Sequence, residues 1–304
     1  MDRFNAMATF VRAAELGSLS AAARELGLTQ PAVSQQIAGL ERHLRTRLFN
    51  RGTRKLAMTA AGQTYLGRAK QLLEELAEVE EDLLGPSAEL KGSLRVEAPV
   101  GLGQQYLAAI VTDFQRRHPG LTVELILDDY VTDLVEDGVD VAFRLGSLTL
   151  PSLVARKLGS IARILVASPD YVAIHGSPET PSELARHTHV RFSWTPSGEH
   201  LTLIGPDGPV TVNVRSSFRA NNAFVLMEAI RSGLGVGGVQ LPLVHDLIAG
   251  GELVRVMQDY AYCPMDLHAV YPSRRFIPRK VRALVEHVIA GLPRVPGLDL
   301  ANRL

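Results

Sequence analysis

A chain of 304 residues with 46% hydrophobic and 21% charged side chains has the composition of a soluble globular protein, is long enough for two or three folding units, and excludes a disordered or fibrous chain. The net charge of zero argues against a nucleic-acid protein when taken alone, but Met1 to Thr59 carries nine basic residues (Arg3, Arg12, Arg24, Arg42, Arg45, Arg47, Arg51, Arg54, Lys55) against four acidic ones (Asp2, Glu15, Glu25, Glu41). A single cysteine, Cys263, excludes an intrachain disulfide and a multi-cysteine zinc site, and is expected in a core or at a strand edge. The N-terminus shows no secretory pattern and no apolar run is long enough to span a bilayer, so the expected location is the cytoplasm, with no membrane partner.

In chain order, Phe4, Met7, Phe10 and Ala14 share one helical face and predict a helix that closes a three-helix core. The stretch SLSAAARELGLTQPAVSQQIAGLERHL, Ser18 to Leu44, then predicts two helices and a tight turn. The first runs from about Ser20 to Leu26 and ends at a left-handed Gly27, and Thr29 caps the second, with Gln30 and Pro31 in its first turn. Val33, Ile37, Leu40 and Leu44 form the buried face of the second helix. The opposite face presents Pro31, Gln35 and Arg42, with Ser34 on its flank, groups suited to base edges and phosphates. A surface helical hairpin fits the same pattern, and the segments that follow bear on the choice. Asn50 to Met58, NRGTRKLAM, alternates basic and apolar residues around Gly52 and reads as a hairpin wing, with Arg51, Arg54 and Lys55 placed to meet phosphates or a minor groove.

Thr59 caps a long helix in which Gly62, Tyr65, Ala69, Leu72, Leu76, Val79 and Leu83 alternate spacings of three and four, a heptad seam that asks for a partner helix; a lone amphipathic helix packed on its own chain is the alternative. Gly85 and Pro86 end it, and the polar stretch to Gly92 is a hinge. From Ser93 strands alternate with helices: LRVEAPV, a helix from Gln104 to Arg117, LTVELILDD, a short helix from Val131 to Glu136, and VDVAFRLG predict a parallel α/β sheet. ILVASP near Ile164 begins a second run, and LHAVYPS near Leu267 with a helix from Pro278 to Gly291 returns to the first. Two such lobes place a ligand cleft between them at the carboxyl ends of the strands.

These residues resemble the LysR-type transcriptional regulators over essentially the whole chain. The motifs that carry the resemblance are SLSAAARELGLTQPAVSQQIAGLE, FNRGTRKLAMTAAG, the helix after it and DLVEDGVDVAFRLG. The resemblance implies an N-terminal all-α winged helix-turn-helix, a long linker helix and a two-lobed α/β effector domain similar to type 2 periplasmic binding proteins. The expected boundaries are 1–59, 60–91 and 92–304, with lobe I at about 92–165 and 269–304 and lobe II at about 166–268. The implied partners are double-stranded operator DNA, a small organic effector and a second copy of the chain, with dimers pairing into tetramers.

The recognition helix corresponds to Gln30 through Leu40, with Ser34 and Gln35 reading bases, and the wing arginine falls at Arg54. Ser20, Gln30, Pro31, Arg42, Arg51 and Lys55 complete the DNA-binding set. The dimer seam takes Tyr65, Ala69, Leu72, Leu76, Val79 and Leu83. The cleft is expected at Pro99, Val100 and Gly101, at Arg144 and Leu145, at Asn221 and Asn222, and at Val236 and Gln240. Many relatives begin the first cleft helix with a hydroxyl residue, whereas this chain reads Pro99 to Gly103, PVGLG, which offers backbone N–H groups and an apolar floor. That suits an organic acid or an aromatic carbonyl compound. Arg144 reads equally as its charge partner or as a structural ion-pair residue, and Asn221 and Asn222 as cleft residues or a helix cap.

Gly233, Gly235 and Gly238 match the GxGxxG spacing, but they follow a helical pattern and open a strand-like one, the reverse of a dinucleotide site. His187 and His189 lack further ligands at metal spacing and read as surface loop residues. No nucleophile elbow or phosphate-loop lysine is present, and no cofactor, metal or catalytic residue is assigned. An enzyme whose N-terminal helices only dimerise it is the rival reading. It leaves the basic wing without a purpose and lacks a catalytic set.

Overall fold

The N-terminal unit, Met1–Ala88, is helical, and the C-terminal unit, Glu89–Leu304, is built on a mixed sheet. The computed structural model describes residues 2–50, 56–83, 89–130, 133–148, 154–193, 200–272 and 277–301. The wing residues Arg51, Arg54 and Lys55, and Gly85 and Pro86 of the expected hinge, lie outside them.

The first unit comprises α1 (Arg3–Leu16), α2 (Leu19–Glu25), α3 (Gln30–Leu44) and α4 (Ala60–Leu83). Each start is capped by the side chain just ahead of it. Asp2 accepts the Phe4 N–H, Ser18 that of Ala21, Thr29 that of Ala32 and Thr59 that of Gly62. The α2–α3 corner turns at Gly27, whose φ of 66° suits a residue without a Cβ, and the Leu28 N–H closes on the Ala23 carbonyl at 2.8 Å. Phe10, Ala22, Ala23, Val33, Ile37, Leu40, Leu48 and Ala69 form the core.

The linker helix divides its stripe. A Cβ on Gly62 would stand 2.1 Å from the Leu48 carbonyl oxygen, Tyr65 packs on Phe10 with ring centroids 5.5 Å apart, and Ala69 is fully buried. Tyr65 and Ala69 therefore belong to the chain's own core rather than to a dimer seam, because the first turns of α4 are needed to cover Phe10 and Leu48. Leu72 and Leu76 are 47% and 36% exposed. Val79 and Leu83 continue the helix, and their side chains lie outside the described set.

The second unit runs β1 (Gly92–Ala98), α5 (Val100–Leu102), a π-helical turn (Gly103–Leu107), α6 (Ala108–Arg117), β2 (Leu121–Leu127), β3 (Val141–Leu145), β4 (Val154–Ala167), α7 (Pro169–His175), α8 (Pro181–Leu184) and β5 (Thr188–Phe192). It continues through β6 (His200–Gly205), β7 (Gly208–Asn213), β8 (Arg215–Ala220), α9 (Ala223–Arg231), β9 (Val236–Gln240), α10 (Leu241–Ala249), β10 (Val254–Val256), β11 (Ala261–Tyr271), α11 (Arg279–Gly291) and β12 (Leu298–Leu300).

The main strand order is β2-β1-β3-β11-β4-β9-β5-β8. Strands β2, β1 and β3 are parallel, as are β9, β5 and β8, while β11 and β4 run antiparallel to their neighbours. Two lobes result because the 14-residue β4 pairs with β11 from Val154 to Ile161 and at Arg163, and with β9 through Arg163–Val166, so one strand serves both. Lobe I packs Leu94, Val96, Phe114 and Phe143 against Leu284 and Val288 of α11. Lobe II has apolar layers on both faces of its sheet, one around Val190, Leu226 and Ile230 and one around Leu165, Leu184 and Leu203.

Several local expectations change. The helix expected from Gln104 starts at Val100, because the Asp129 carboxylate accepts the Val100 N–H at 3.0 Å and caps it four residues early. In place of a helix to Glu136, residues 134–138 form a turn in which Asp133 accepts the N–H groups of Val135 and Glu136, and Gly138 adopts a φ of 63°. His187 is a half-buried residue of the connection before β5, but His189 is not on a surface loop. The strand β5 lies between β8 and β9 with both faces covered, so His189 is fully buried, and His187 Nδ1 lies 3.1 Å from the Tyr171 hydroxyl. Gly233 (φ 77°) follows α9, Gly235 precedes β9, and Gly238 lies within it, in the order helix then strand.

Candidate functional site

The face of α3 away from the core presents Gln30, Pro31, Gln35 and Arg42 to solvent, with Ser34 half-buried beside them and Ser20 exposed on α2. Two contacts hold this face in place. Thr9 of α1 donates to the Gln36 side-chain oxygen at 2.6 Å, and one Glu41 oxygen accepts the N–H groups of Leu48 and Phe49 at 2.8 and 3.1 Å. The second contact ties the end of α3 to the base of the wing, where Phe49 and Met58 form an antiparallel bridge and the Asn50 N–H donates to the Ala57 carbonyl. Not every cation of this unit is free to meet phosphate. Arg12 bridges Glu15 and Glu25, and Lys70 pairs with Glu15 at 2.7 Å.

In the second unit a cavity of about 340 Å³ opens where the lobes meet. Lobe I supplies Pro99, Gly101, Leu102, Asp128, Asp129, Arg144 and Leu145; β4 and β11 supply Ile161, Arg163 and Met265; lobe II supplies Phe192, Ala223, Gly238, Gln240, Pro242 and Leu243. Five residues expected in the cleft, Pro99, Gly101, Arg144, Leu145 and Gln240, are brought together. Val100 stands just outside the lining with its N–H held by Asp129. That bond takes up the first helix-start N–H that would otherwise be offered to an anion.

The two asparagines have separate tasks. Asn222 caps α9 through the N–H groups of Phe224 and Val225, while Asn221 donates to the Tyr130 hydroxyl of lobe I at 3.1 Å. Tyr106 and Gln105 also cross between the lobes, both donating to the Pro242 carbonyl, at 2.9 and 3.3 Å. Gly101 permits this closure, since a Cβ there would meet the Leu243 side chain at 2.9 Å and the Ala223 Cβ at 3.6 Å. Val236 is not a cleft residue: it is fully buried in the layer with Leu165 and Tyr171, because the early part of β9 lies under lobe II.

The charges of the cavity are unequal in freedom. Arg144 is buried and pairs with the buried Glu97 at 2.6 Å, also donating to the Tyr130 carbonyl at 3.0 Å, so its charge is balanced within the protein. Arg163, which sequence reasoning missed, has no carboxylate partner among the described residues. Its guanidinium lies 4.5 Å from the centre of the Tyr262 ring, and burial works against its charge. Burial also pushes the Asp129 carboxyl up, against the Val100 N–H, with Asp128 adding to the upward shift. The available signal was a lone cation in the otherwise apolar run Ile161 to Ala167.

Comparison with known proteins matches both units. The family model described as LysR substrate binding domain matches residues 87–293, and that of the bacterial regulatory helix-turn-helix protein, lysR family, matches residues 4–63. The HTH-type transcriptional activator AaeR of Escherichia coli (strain K12) is 32% identical over 286 residues, covering 94% of this chain and 92% of that protein. An HTH-type transcriptional repressor of Pseudomonas aeruginosa (strain UCBPP-PA14) is 33% identical over 304 residues, covering 99% and 95%. The solved structure of CrgA, a LysR-type transcriptional regulator from Neisseria meningitidis, is 29% identical with a TM-score of 0.61, covering 95% of this chain and 98% of that one. These relatives are regulators rather than enzymes, and the fold matches the helix-turn-helix unit and two-lobed α/β domain read from the sequence. The chain belongs to the LysR family of DNA-binding transcriptional regulators, with a helix-turn-helix domain and an effector-binding substrate domain.

Proposed function

We propose that this regulator is controlled by a small organic acid or aromatic carbonyl compound bound between the two lobes, and that occupancy alters how paired DNA-binding units sit on their operator. The observation that carries this reading is the cavity at the lobe junction, with Arg163 in its wall lacking a carboxylate partner among the described residues. A mostly apolar lining in which Arg163 lacks a carboxylate partner, while Arg144 is balanced by Glu97, is suited to a small anion with an apolar body. The bonds from Asn221 and Tyr106 make the lobe arrangement sensitive to what lies between them.

Operator contact is assigned to Ser20, Gln30, Pro31, Ser34, Gln35 and Arg42, and to Arg51, Arg54 and Lys55 of the wing. A cytoplasmic location is proposed, since operator DNA is reached there; among the described residues no helix is long and apolar enough to cross a membrane. A dimer formed through the later turns of α4 is supported by the exposed Leu72 and Leu76, and pairing of dimers into a tetramer is the assembly proposed. In domain terms, 1–59 binds DNA, 60–91 links and dimerises, and 92–304 senses.

Thermal unfolding with aromatic carboxylates tests the site. A ligand at one hundred times its Kd adds about 2.7 kcal/mol of stability, a shift of several degrees. Gly101→Val places its methyl groups against Leu243 and Ala223, and is expected to abolish that shift while leaving operator binding intact. An unchanged shift in the folded variant would put the effector elsewhere.

A further inference from the structure

The cavity lining carries both signs of charge, Arg144 and Arg163 against Asp128 and Asp129. Arg163 pairs across the sheet with Gln240 of β9, on the lobe II side. Its guanidinium lies 4.5 Å from the centre of the Tyr262 ring, and that ring occupies the space over Gly238, where a Cβ would stand 2.0 Å from it. A guanidinium held over an aromatic ring without a carboxylate partner keeps N–H groups for a ligand carboxylate. Arg144 is a poorer anchor, since Glu97 already balances its charge.

On the lobe I side, Asp128 and Asp129 line the cavity just after the end of β2. Each uses Oδ1 to accept one backbone N–H, from Tyr130 at 2.8 Å and from Val100 at 3.0 Å. Two carboxylates with acceptor capacity to spare thus line the same cavity as Arg163, with which neither forms an ion pair, and Ile161, Phe192 and Leu243 are among the apolar residues of the same wall.

Resting on the reading that the effector occupies this cavity, we propose that its class is a monocarboxylate carrying a hydrogen-bond donor at the opposite end, with Arg163 holding the carboxylate and Asp128 and Asp129 the donor. A second carboxylate at that end would meet two acids and be rejected, whereas an ammonium or hydroxyl group would be accepted.

Three probes with one aromatic body separate these cases: benzoate, para-aminomethylbenzoate and terephthalate, titrated calorimetrically into the full-length protein. The expected order for the wild type is para-aminomethylbenzoate tightest, by about tenfold over benzoate, and terephthalate weakest, one tenfold step being a single charge-assisted hydrogen bond. Arg163→Gln should weaken para-aminomethylbenzoate and benzoate about tenfold or more, and Arg163→Lys, which keeps the charge and loses the fork, by less. The double variant Asp128→Asn, Asp129→Asn retains an oxygen for each backbone N–H, and should level benzoate with para-aminomethylbenzoate and improve terephthalate. Terephthalate binding the wild type as tightly as para-aminomethylbenzoate, or an unchanged order in the double variant, overturns the assignment of the charged groups but leaves the cavity as the site. Binding of all three that is unaltered by both Arg163→Gln and Gly101→Val overturns the cavity reading as well, as does binding of none.

Discussion

In the N-terminal unit the polar groups assigned to function stand on the outside of one helix, whereas in the C-terminal unit they are drawn inside from distant parts of the chain. Gln30, Pro31, Ser34 and Gln35 span a turn and a half of α3, and local caps set their positions. Asp129, Arg163 and Gln240 come from three strands or strand ends and meet only because β4 is shared by both lobes. The difference separates two kinds of failure. Changes on the outer face should alter DNA binding with little cost in stability, while changes among the buried polar groups should affect stability and sensing together.

The largest effect expected is at the buried pair. Glu97→Ala leaves Arg144 buried and without its balancing carboxylate, and should cost about 3–5 kcal/mol in denaturant unfolding of the second unit. A loss no larger than that of an outer-face substitution would erase the contrast between the regions.

Buried His189 makes stability depend on pH. Burial first, with Arg191 and His187 adding to it, pushes the His189 imidazole down to about 3, from an ordinary 6.5. The unfolded chain therefore binds a proton that the folded chain refuses. The contribution of this group is full above pH 6.5 and falls by about 1.4 kcal/mol for each pH unit below it, down to about 3. His189→Leu should flatten the difference in unfolding free energy between pH 6.5 and 5 relative to wild type. Parallel slopes for the two proteins would mean that another group supplies the acid sensitivity.

Leu76→Glu puts a charge on the exposed apolar stripe of α4, and the expected result is a dimer weakened by about 2 kcal/mol, seen as a fall in sedimenting mass at fixed concentration. Retention of the mass would place the dimer contact elsewhere. On the DNA face, Gln35→Ala should reduce discrimination between operator and random DNA by about 1–3 kcal/mol. Arg54→Ala, if the arginine meets phosphate, should weaken binding to all DNA alike and lower the salt slope by about one unit. Equal loss of discrimination from both would merge the two roles.

What was readable in the sequence follows the same division. The α2–α3 pair was legible because its signals are local: Ser18, Gly27, Thr29 and Pro31 each act within a few residues, and the apolar spacing of Val33, Ile37 and Leu40 needs no distant partner. The shared role of β4 was not, since strand pairing across the lobes carries no short-range signature. For that reason no local signal places Arg163 in the cleft, and a cleft expected at both Val236 and Gln240 is reached only by the end of β9, at Gly238 and Gln240. The heptad spacing of α4 does not by itself assign a partner: Tyr65 and Ala69 pack into the chain's own core, because an apolar stripe does not state which surface will cover it.

The most direct test of control through the lobe junction is a nuclease footprint of the full-length protein on the promoter beside its own gene, recorded across a titration of para-aminomethylbenzoate for wild type and Gly101→Val. The expected result is specific protection by both proteins without ligand and a pattern that changes with ligand only for the wild type. A Gly101→Val footprint that responds at the same ligand concentrations as the wild type would contradict the account, since the residue that lets Leu243 and Ala223 close over the cavity would then have no part in sensing.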